Sequence, residues 1–382
     1  MYVFATLSGR GVVCSSQKFG YKLGVMDVFG DKDCLMAAAF WRNIATCFPG
    51  QTGIDSKKFL NSLLVFKNHG FKGLVIGSGF EGKYDALRQA NEILPLYANS
   101  LSVFKYSENP VLFFETLKIL KVPFPQVNLS ANSFESLGPD WMLKDLGSSG
   151  GLGIKKQSGR KSKISEYFQK QLSGTVVSLS FFADGQNVIP LGYSKPVATK
   201  QSNLPFVFYG LDGPIELDDS VDQEALKISK LIVHKFKLRG FNGIDFLVSD
   251  KSVYFLDLNP RITASFEILQ ESHSFCFFEK HIQLTHDIPN NTYTPQSFPA
   301  MKKKLISGFR VIYAESDFYM NERCQESLFN NKFLTNIPNR KYFFKKYEPV
   351  CSVFLRSNSI SELQRALDDR VDFVYNKLLQ LT

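Results

Sequence analysis

Two aspartates, an asparagine and an arginine near the middle of the sequence have the types and spacing needed to hold a metal ion and phosphate groups. They are Asp245, Asp257, Asn259 and Arg261. Two runs of strand-forming residues, 243–248 and 253–258, flank a short turn-forming segment, which predicts a β-hairpin. With the turn centred on Lys251, Asp245 faces Asp257, because the two residues are equally distant from the centre. Side chains at opposite positions of such a pair lie ~5 Å apart.

The alternation of side chains along the hairpin divides it into an acidic and an apolar face. Asn259 lies two residues beyond Asp257 and shares its face, and we expect Leu247 and Phe255 on that face nearer the turn. The apolar face receives Ile244, Phe246, Leu256 and Leu258. A set of carboxylate and amide oxygens suits Mg²⁺ held together with phosphates better than Zn²⁺. An ordinary hairpin with one solvated face is the alternative, and the Asn-Pro-Arg run after the second acid favours the metal site.

A glycine-rich segment upstream has the composition of a phosphate-binding loop. Residues 141–144 predict a short strand that ends at Lys144, and the loop that follows contains Gly147, Ser148, Ser149, Gly150 and Gly151. Glycine lets the backbone approach phosphates and flex as a lid, while the lysine supplies a point charge for a phosphate oxygen. The loop lacks the Walker and dinucleotide-binding spacings. A mobile linker is the alternative for this segment and for the basic residues after it.

Strand and helix signals alternate over residues 1–104, which predicts an open parallel α/β domain at the N-terminus. Loops 30–33 and 77–81 follow predicted strands, where such sheets bind ligands. The second loop supplies Gly79 and Glu81 as candidate substrate contacts. Residues 105–290 carry the metal and phosphate motifs. Residues 291–382 predict a small capping domain that ends in a helix over 360–379.

The composition excludes several classes of protein. With 382 residues, 44% of them hydrophobic, the chain can bury a large core. No apolar run approaches the ~18 residues of a membrane span, so we expect a cytoplasmic protein. The six cysteines and five histidines show no disulfide or zinc spacing. The net charge of +9 comes without a nucleic-acid recognition motif and suits anionic small-molecule substrates.

The string LDLNPRITAS resembles the metal-binding strand of the ATP-grasp superfamily, which gives these residues specific expected roles. The resemblance implies that Asp245, Asp257 and Asn259 are the metal ligands. It also implies that Arg261 steadies the transferred phosphate and the tetrahedral intermediate. ATP and Mg²⁺ are the expected cofactors, and Mn²⁺ is compatible with the same ligands. The fold implied is an α/β (α+β grasp) architecture of the three parts above.

Other segments resemble the nucleotide-binding parts of the same family. Residues 144–154 are similar to its glycine-rich lid, with Lys144 as an ATP lysine. Residues 167–185 are similar to the hinge that seats adenine, but they lack the usual ribose-binding glutamates, a role that Gln169 takes in part. Lys105, before a helix-like stretch at 106–120, matches the first ATP lysine.

Four further strings, MDVFGDKD, GLVIGSGFE, PFVFYGLDGP and FFEKHIQLTHD, resemble a subgroup associated with tetrahydromethanopterin- and methanofuran-type one-carbon metabolism. That subgroup is similar in plan to tyramine-glutamate ligase. The resemblance implies a carboxylate-amine ligase that joins glutamate to tyrosine or tyramine, and a homodimer is compatible with it. The expected substrate contacts, in addition to the 77–81 loop, are Tyr209, Gly210, Thr263 and Ser265. The alternatives are a ligase of the same superfamily for another amino acid or a pterin, and a nucleotide-binding regulator without catalysis.

Overall fold

The computed structural model describes most of the chain. The described residues are 1–47, 51–129, 137, 140–145, 148, 150–156, 166–199, 205–286, 305–339 and 341–381. Gly147, Ser149 and the predicted start of the capping domain at residue 291 lie outside them.

The N-terminal part is built on a four-stranded parallel sheet with helices around it. The strands of this part are β1 (Tyr2–Ala5), β2 (Gly24–Asp27), β3 (Phe40–Asn43), β4 (Ala45–Cys47), β5 (Gln51–Ile54) and β6 (Gly73–Ile76). The helices are α1 (Arg10–Gln17), α2 (Lys32–Ala37), α3 (Ser56–Asn68) and α4 (Tyr84–Ile93). The parallel sheet has the order β3-β2-β1-β6, and β4 pairs with β5 separately. Every residue of β2 and β6 is buried, as expected for a sheet that is covered on both faces.

The strand order places a ligand crevice at one edge of this sheet. Strand β1 has β2 on one side and β6 on the other, so the order of the chain reverses between β1 and β6. Loops at the carboxyl ends of strands beside such a reversal border the usual ligand crevice of α/β sheets. The two loops are joined here, since the backbone N–H of Leu7 donates to the carbonyl of Ser78 over 2.9 Å. The 77–81 loop therefore lies at the crevice.

Two helices and a small antiparallel sheet follow. They are α5 (Leu101–Ser107), α6 (Pro110–Ile119), β7 (Val127–Asn128), β8 (Trp141–Asp145), β9 (Ile154–Lys156) and β10 (Glu166–Lys170), with the sheet in the order β7-β10-β8-β9. The prediction of one helix over 106–120 was wrong, because Pro110 disfavours a helical conformation at the residue before it. Asn109 caps α6 instead, and its side chain accepts the N–H of Leu112 over 3.2 Å.

An eight-stranded antiparallel sheet forms the rest of the scaffold. The remaining strands are β11 (Thr175–Asp184), β12 (Val188–Ala198), β13 (Phe208–Ile215), β14 (Arg239–Ser249), β15 (Ser252–Asn259), β16 (Ile306–Tyr313), β17 (Phe318–Met320), β18 (Leu334–Thr335), β19 (Tyr342–Phe344) and β20 (Pro349–Ser357). The remaining helices are α7 (Asp219–Phe236), α8 (Ser265–Gln270), α9 (Phe277–Thr285), α10 (Glu322–Phe329) and α11 (Ile360–Leu381). The sheet order is β15-β14-β11-β12-β13-β16-β20-β18. The strands of the C-terminal segment thus extend the sheet that carries β14 and β15. These two strands form the predicted metal-binding hairpin, called the metal hairpin below. The boundary at residue 290 stays a prediction.

The chain passes from the small sheet to the large one at the predicted hinge. Strand β10 belongs to the small sheet and β11 to the large one, and residues 171–174 connect them. Gly174 has a φ of +155°, and a Cβ there would lie 2.5 Å from the carbonyl oxygen of Val248. Glycine is therefore required where this connection crosses β14.

Buried polar side chains join the N-terminal part to β14. The Asn99 amide donates to Asn242 Oδ1 and to the carbonyl oxygen of Pro260, each over 2.8 Å. His281 accepts the backbone N–H of Phe241 at Nδ1 over 2.9 Å, and its Nε2 lies 2.9 Å from the carbonyl oxygen of Tyr97. These bonds fix the start of the metal hairpin against the crevice.

Four of the described cysteines are buried, namely Cys34, Cys276, Cys324 and Cys351, and Cys14 is partly buried. No helix in the described ranges is long and apolar enough to cross a membrane.

Candidate active site

The predicted hairpin is formed by β14 and β15, and it pairs Asp245 with Asp257. The turn differs from the prediction. Asp250 and Lys251 both have positive φ angles, of 46° and 66°, as in the two-residue turns that match the twist of paired strands. The centre of the turn is thus shifted by half a residue, and a bulge between Asp245 and Phe246 shifts the register back.

The bulge also changes which side chains share a face. Phe255 pairs with Phe246, and both are fully buried in the core. The prediction that Phe255 lies on the acidic face was therefore wrong. Leu256, which was expected in the core, is only partly buried because it is the extra residue of the bulge. The polar end of the hairpin keeps the predicted pairing.

A chain of hydrogen bonds connects three of the four polar residues, Asp245, Asn259 and Arg261, while Asp257 accepts the backbone N–H of Leu258 over 2.9 Å. The Ser178 hydroxyl on β11 donates to Asp245 Oδ1. The Asn259 amide lies 3.4 Å from Asp245 Oδ2, and Arg261 Nη2 donates to Asn259 Oδ1 over 2.9 Å. Burial and the neighbouring charge of Asp257 raise the pKa of Asp245 to about 6. A bound cation would relieve that destabilisation of the charged form.

The donor set fits a divalent cation that shares its ligands with phosphates. Two carboxylates and an amide oxygen are hard ligands, and Mg²⁺ is commonly held by one or two carboxylates together with phosphate oxygens and water. Among the described residues, no group of three or more His, Cys, Asp or Glu side chains could hold a metal by itself. The hairpin therefore suits a metal that arrives with a nucleotide better than a closed protein cage.

Lys144 lies on β8 and faces the acidic end of the hairpin. Its amine is 3.3 Å from Gln169 Oε1 on β10 and 5.8 Å from the ring centroid of Tyr167. Burial opposes the charge, but Tyr167 and the carboxylates of Asp257 and Asp245 outweigh it and raise the pKa of Lys144. Lys144 is therefore a retained cation close to the predicted metal ligands.

Gln169 carries a buried donor that has no partner in the part of the chain that the structure describes. The residue is 1% exposed, and its Nε2 makes no hydrogen bond. Such a group costs free energy unless a ligand satisfies it. Its Oε1 is held by Lys144, which directs the remaining donor at the same region. This arrangement fits a contact to an acceptor atom of a nucleotide.

The described part of the glycine-rich loop packs against the start of β13. Gly150 and Gly151 have φ angles of +63° and +75°. The carbonyl oxygen of Gly150 accepts the N–H of Phe208 over 2.9 Å, and a Cβ on Gly151 would lie 1.8 Å from the Phe206 carbonyl oxygen. Side chains are therefore excluded at this contact. Ser148 is described as well, and the phosphate roles of all these residues stay predictions.

Glu81 of the N-terminal crevice reaches Arg261. Its Oε1 forms an ion pair with Arg261 Nη2, and its Oε2 accepts the N–H of Gly79 over 2.8 Å. The two side chains are 20% and 10% exposed. The predicted substrate residues Gly79 and Glu81 therefore lie beside the predicted catalytic arginine.

Hydroxyl groups continue from the hairpin along β11. Thr263 and Ser265 are 2.7 Å apart at their side-chain oxygens, and Ser265 is 2.6 Å from the Ser180 hydroxyl. A Cβ on Gly243 would lie 3.2 Å from the Thr263 methyl group, which places Thr263 beside the polar end of the hairpin. Ser265 is buried, so its hydroxyl holds Thr263 in place and is not presented to a substrate.

Three predicted contact residues show no contact with this cluster. Lys105 lies inside α5 rather than before a helix, is exposed, and has its amine 5.6 Å from the ring centroid of Tyr84. Burial raises the pKa of Tyr209, Arg310 lowers it, and Asp368 and Asp372 of α11 raise it. Tyr209 therefore lies on the α11 side of the sheet.

Gly210 serves strand pairing, since a Cβ there would lie 1.9 Å from the Phe309 carbonyl oxygen. The 30–33 loop also contacts the C-terminal segment, because Lys32 N–H donates to Ile337 O over 2.8 Å.

Several residues that support the site were missed by the sequence analysis. Ser178, Tyr167 and Asn99 are isolated polar residues whose partners are distant in sequence. The one available signal was position, because Ser178 and Ser180 alternate within the apolar middle of β11.

Comparison with known proteins agrees with this geometry. Residues 108–265 match the family described as the ATP-grasp domain, so the chain contains an ATP-grasp domain. A stretch of 213 residues, which is 56% of this chain, is 23% identical to an uncharacterized protein of Methanocaldococcus jannaschii. The match covers 47% of that protein, so the chain spans about half the length of this curated relative.

Solved structures match almost the whole chain at low sequence identity. Biotin carboxylase from Campylobacter jejuni gives a TM-score of 0.69 at 12% identity, over 95% of this chain and 89% of that one. Carboxyaminoimidazole ribonucleotide synthase from Aspergillus clavatus, complexed with ATP, gives 0.68 at 15%, over 97% and 98%. The biotin carboxylase domain of 2-oxoglutarate carboxylase from Hydrogenobacter thermophilus, with MgADP and bicarbonate, gives 0.67 at 12%, over 96% and 88%. The predicted ATP-grasp architecture is thus confirmed, and the prediction of an ATP-grasp enzyme is confirmed at the level of domain and fold.

Proposed function

We propose that this ATP-grasp protein is a ligase that joins a carboxylate to an amine through an acyl phosphate. One observation carries the proposal: Asp245, Asp257, Asn259 and Arg261 converge at the open end of one hairpin, with Lys144 facing them. A surface hairpin has no use for such a set. The solved structures that share the fold bind ATP in one case and MgADP in another, which supports ATP and Mg²⁺ as the ligands here.

The chemistry follows from the weak reactivity of a carboxylate. A carboxylate resists attack by an amine, so the γ-phosphate of ATP is first transferred to it, and ADP leaves. Mg²⁺, held by Asp245, Asp257 and Asn259, would withdraw charge from the phosphates. Lys144 binds a phosphate oxygen, and the buried donor of Gln169 meets a further acceptor of the nucleotide. Packing of the glycine loop against residues 206–208 excludes water from the reactive acyl phosphate.

Arg261 is the group that meets the developing negative charge. It is held by Asn259 and Glu81 and is only 10% exposed, so its orientation is set before substrate binds. A preorganised cation in a largely buried position stabilises charge more than a solvated one does. We assign it to the transferring phosphate and to the tetrahedral adduct that forms when the amine attacks. Thr263 lies beside it and is available to the acyl group.

For the substrates, we propose glutamate as the acyl donor and tyrosine or tyramine as the amine, in the synthesis of a methanofuran-like carrier. The support is the resemblance of four sequence strings to the subgroup described above. Another amino acid or a pterin as substrate is the competing proposal within the same chemistry.

The test is phosphate release by purified protein with ATP and Mg²⁺ across carboxylic acids crossed with amines. Glutamate with tyrosine and with tyramine are the central pairs. Asp257→Ala is the inactive blank, and Asp219→Ala, an exposed residue of α7, is the control for loss of a carboxylate. We expect release that needs one acid and one amine together and that Asp257→Ala abolishes. ATP binding without release for any pair would contradict the ligase, and release with another pair alone would replace the substrates.

A further inference from the structure

The ion pair between Glu81 and Arg261 joins two parts of the site that are 180 residues apart in sequence. Arg261 follows the metal hairpin, whereas Glu81 lies in the loop after β6. The carboxylate therefore meets the cation that is assigned to the acyl phosphate. A purely structural role for Glu81 would not require its carboxylate to lie at Arg261.

The loop that carries Glu81 is held rigidly. Gly79 and Gly82 have φ angles of +100° and +71°, and a Cβ on Gly79 would lie 2.7 Å from the Leu7 side chain. The N–H of Gly82 donates to Glu108 Oε1 over 2.9 Å, while Glu81 accepts the N–H of its own loop at Gly79. Glu81 is thus fixed by its backbone at the β1/β6 crevice, where α/β sheets bind ligands.

The charges around this point are unbalanced in a way that favours a cation. When an anionic acyl phosphate takes Arg261, Glu81 is left beside negative charge on one side and Glu108 on the other. Burial and the charge of Glu81 raise the pKa of Glu108, which shows that the two carboxylates interact. Metal binding uses Asp245 and Asp257, so Glu81 is the carboxylate next to Arg261 that is left for a substrate cation.

We propose that Glu81 forms the binding site of the amine substrate, which arrives as an ammonium ion at the β1/β6 crevice. This inference rests on the proposed function and deepens it, because it assigns the second substrate to a place and to a charge. The ammonium group replaces part of the Arg261 contact of Glu81. The ammonium group also lies next to the acyl carbon of the acyl phosphate that Arg261 binds.

The proton balance of the step is complete with Glu81 as the acceptor. The ammonium group gives one proton to the Glu81 carboxylate and becomes a neutral amine. The amine nitrogen forms a bond to the acyl carbon, and the bond from that carbon to the phosphate oxygen breaks. The second proton of the nitrogen leaves with the phosphate, which departs as hydrogen phosphate. The proton on Glu81 then returns to solvent.

The experiment compares two nucleophiles in the Glu81→Gln variant. Glutamine keeps the side-chain volume and one acceptor oxygen, which can serve Arg261 or the Gly79 N–H but not both, and it has no charge and is not a base. The first nucleophile is the amine that supports phosphate release in the test of acids crossed with amines. The second is hydroxylamine, which is uncharged at neutral pH and traps the acyl phosphate as a hydroxamate without an anionic site.

We expect the amine-dependent kcat/KM of Glu81→Gln to fall about 100-fold, the usual size for loss of a charged partner and base. Hydroxamate formation and the KM for ATP should change by less than about threefold, because Asn259 still holds Arg261 and the glutamine oxygen can still accept from it. Glu81→Asp should restore part of the amine-dependent rate, and Glu92→Gln, a change at an exposed residue of α4, should behave as wild type.

Two results would overturn the amine site while leaving the ligase intact. An equal loss of amide and hydroxamate formation in Glu81→Gln would make Glu81 a positioning partner of Arg261 only. An unchanged amine-dependent rate would place the amine elsewhere. If wild-type protein forms neither product with any acid, the ligase proposal fails, and the amine site fails with it.

Discussion

His281 should make the contact between the N-terminal part and β14, called the junction here, sensitive to acid. The histidine is 1% exposed, and both ring nitrogens are used. Nδ1 accepts the N–H of Phe241 at the start of the hairpin, so the proton must be on Nε2, which donates to Tyr97 O. Protonation would put a second N–H directly against that of Phe241. Burial accordingly lowers the pKa of His281 to about 4.

The direction and size of the effect follow from linkage. The unfolded chain binds a proton at an ordinary histidine pKa of about 6.5, and the folded chain resists it until about pH 4. Between these values the unfolded state holds more protons, so the free energy of unfolding falls as the pH is lowered. The difference between these two pKa values corresponds to at most about 3.4 kcal/mol in the free energy of unfolding, of which about 2 kcal/mol is lost at pH 5.

The assay is urea unfolding of wild type and His281→Gln at pH 7.5 and pH 5. Glutamine can accept from Phe241 and donate to Tyr97 but does not titrate in this range. We expect His281→Gln to be less stable at pH 7.5 and to lose about 2 kcal/mol less than wild type at pH 5. His69→Gln, at an exposed position, is the control for removal of a histidine and should follow wild type. Parallel loss of stability in wild type and His281→Gln would refute the reasoning.

Three other perturbations test the nucleotide side of the site. Gln169→Leu removes a buried donor that has no partner among the described residues and also the acceptor 3.3 Å from the Lys144 amine, so the two changes offset each other and the thermal midpoint without nucleotide should stay nearly unchanged while the KM for ATP increases about 10-fold; an unchanged KM would contradict a ligand contact. Gly151→Ala puts a Cβ against the Phe206 carbonyl oxygen, so kcat should fall at least about 10-fold with little change in global stability, and the fraction of ATP hydrolysed without amide formation should rise; normal coupling would count against an excluding loop. Asn99→Ala removes three hydrogen bonds, to Asn242 Oδ1, to the Pro260 carbonyl and from the Arg239 N–H, and urea unfolding should show a loss of about 2 to 3 kcal/mol, while a loss under about 0.5 kcal/mol would show that the junction does not depend on it.

The pairing of Asp245 with Asp257 was predictable, although two features that determine it were not. Alternation and turn composition predict the hairpin and its polar end. The two-residue turn and the bulge at Leu256 shift the register in opposite directions, so the pairing survives while Phe255 and Leu256 exchange environments. A bulge depends on how the strand packs on its neighbours, and a single sequence does not carry that information. The break before Pro110 was readable from the proline itself.

Long-range contacts mark the limit of sequence reasoning at this site. The 77–81 loop could be placed at the ligand edge of a sheet, because strand order and loop position are coupled in parallel folds. That Glu81 reaches Arg261 depends on how the N-terminal sheet docks on β14, which the buried bonds of Asn99 and His281 determine. For Lys105 the structure places the amine 5.6 Å from the ring centroid of Tyr84, and its role toward ATP stays a prediction.

The same docking bonds connect stability to chemistry. Asn99 holds the carbonyl of Pro260, the residue before Arg261, and His281 holds Phe241, four residues before Asp245. A shift of the N-terminal part would therefore move Glu81 and Arg261 relative to the metal ligands before it unfolded the large sheet. Catalysis tolerates only displacements of well under about 1 Å. Activity should therefore be lost earlier than secondary structure as this junction weakens. The site is thus as rigid as the junction between the parallel sheet and β14, and that junction is held by two neutral, fully bonded side chains.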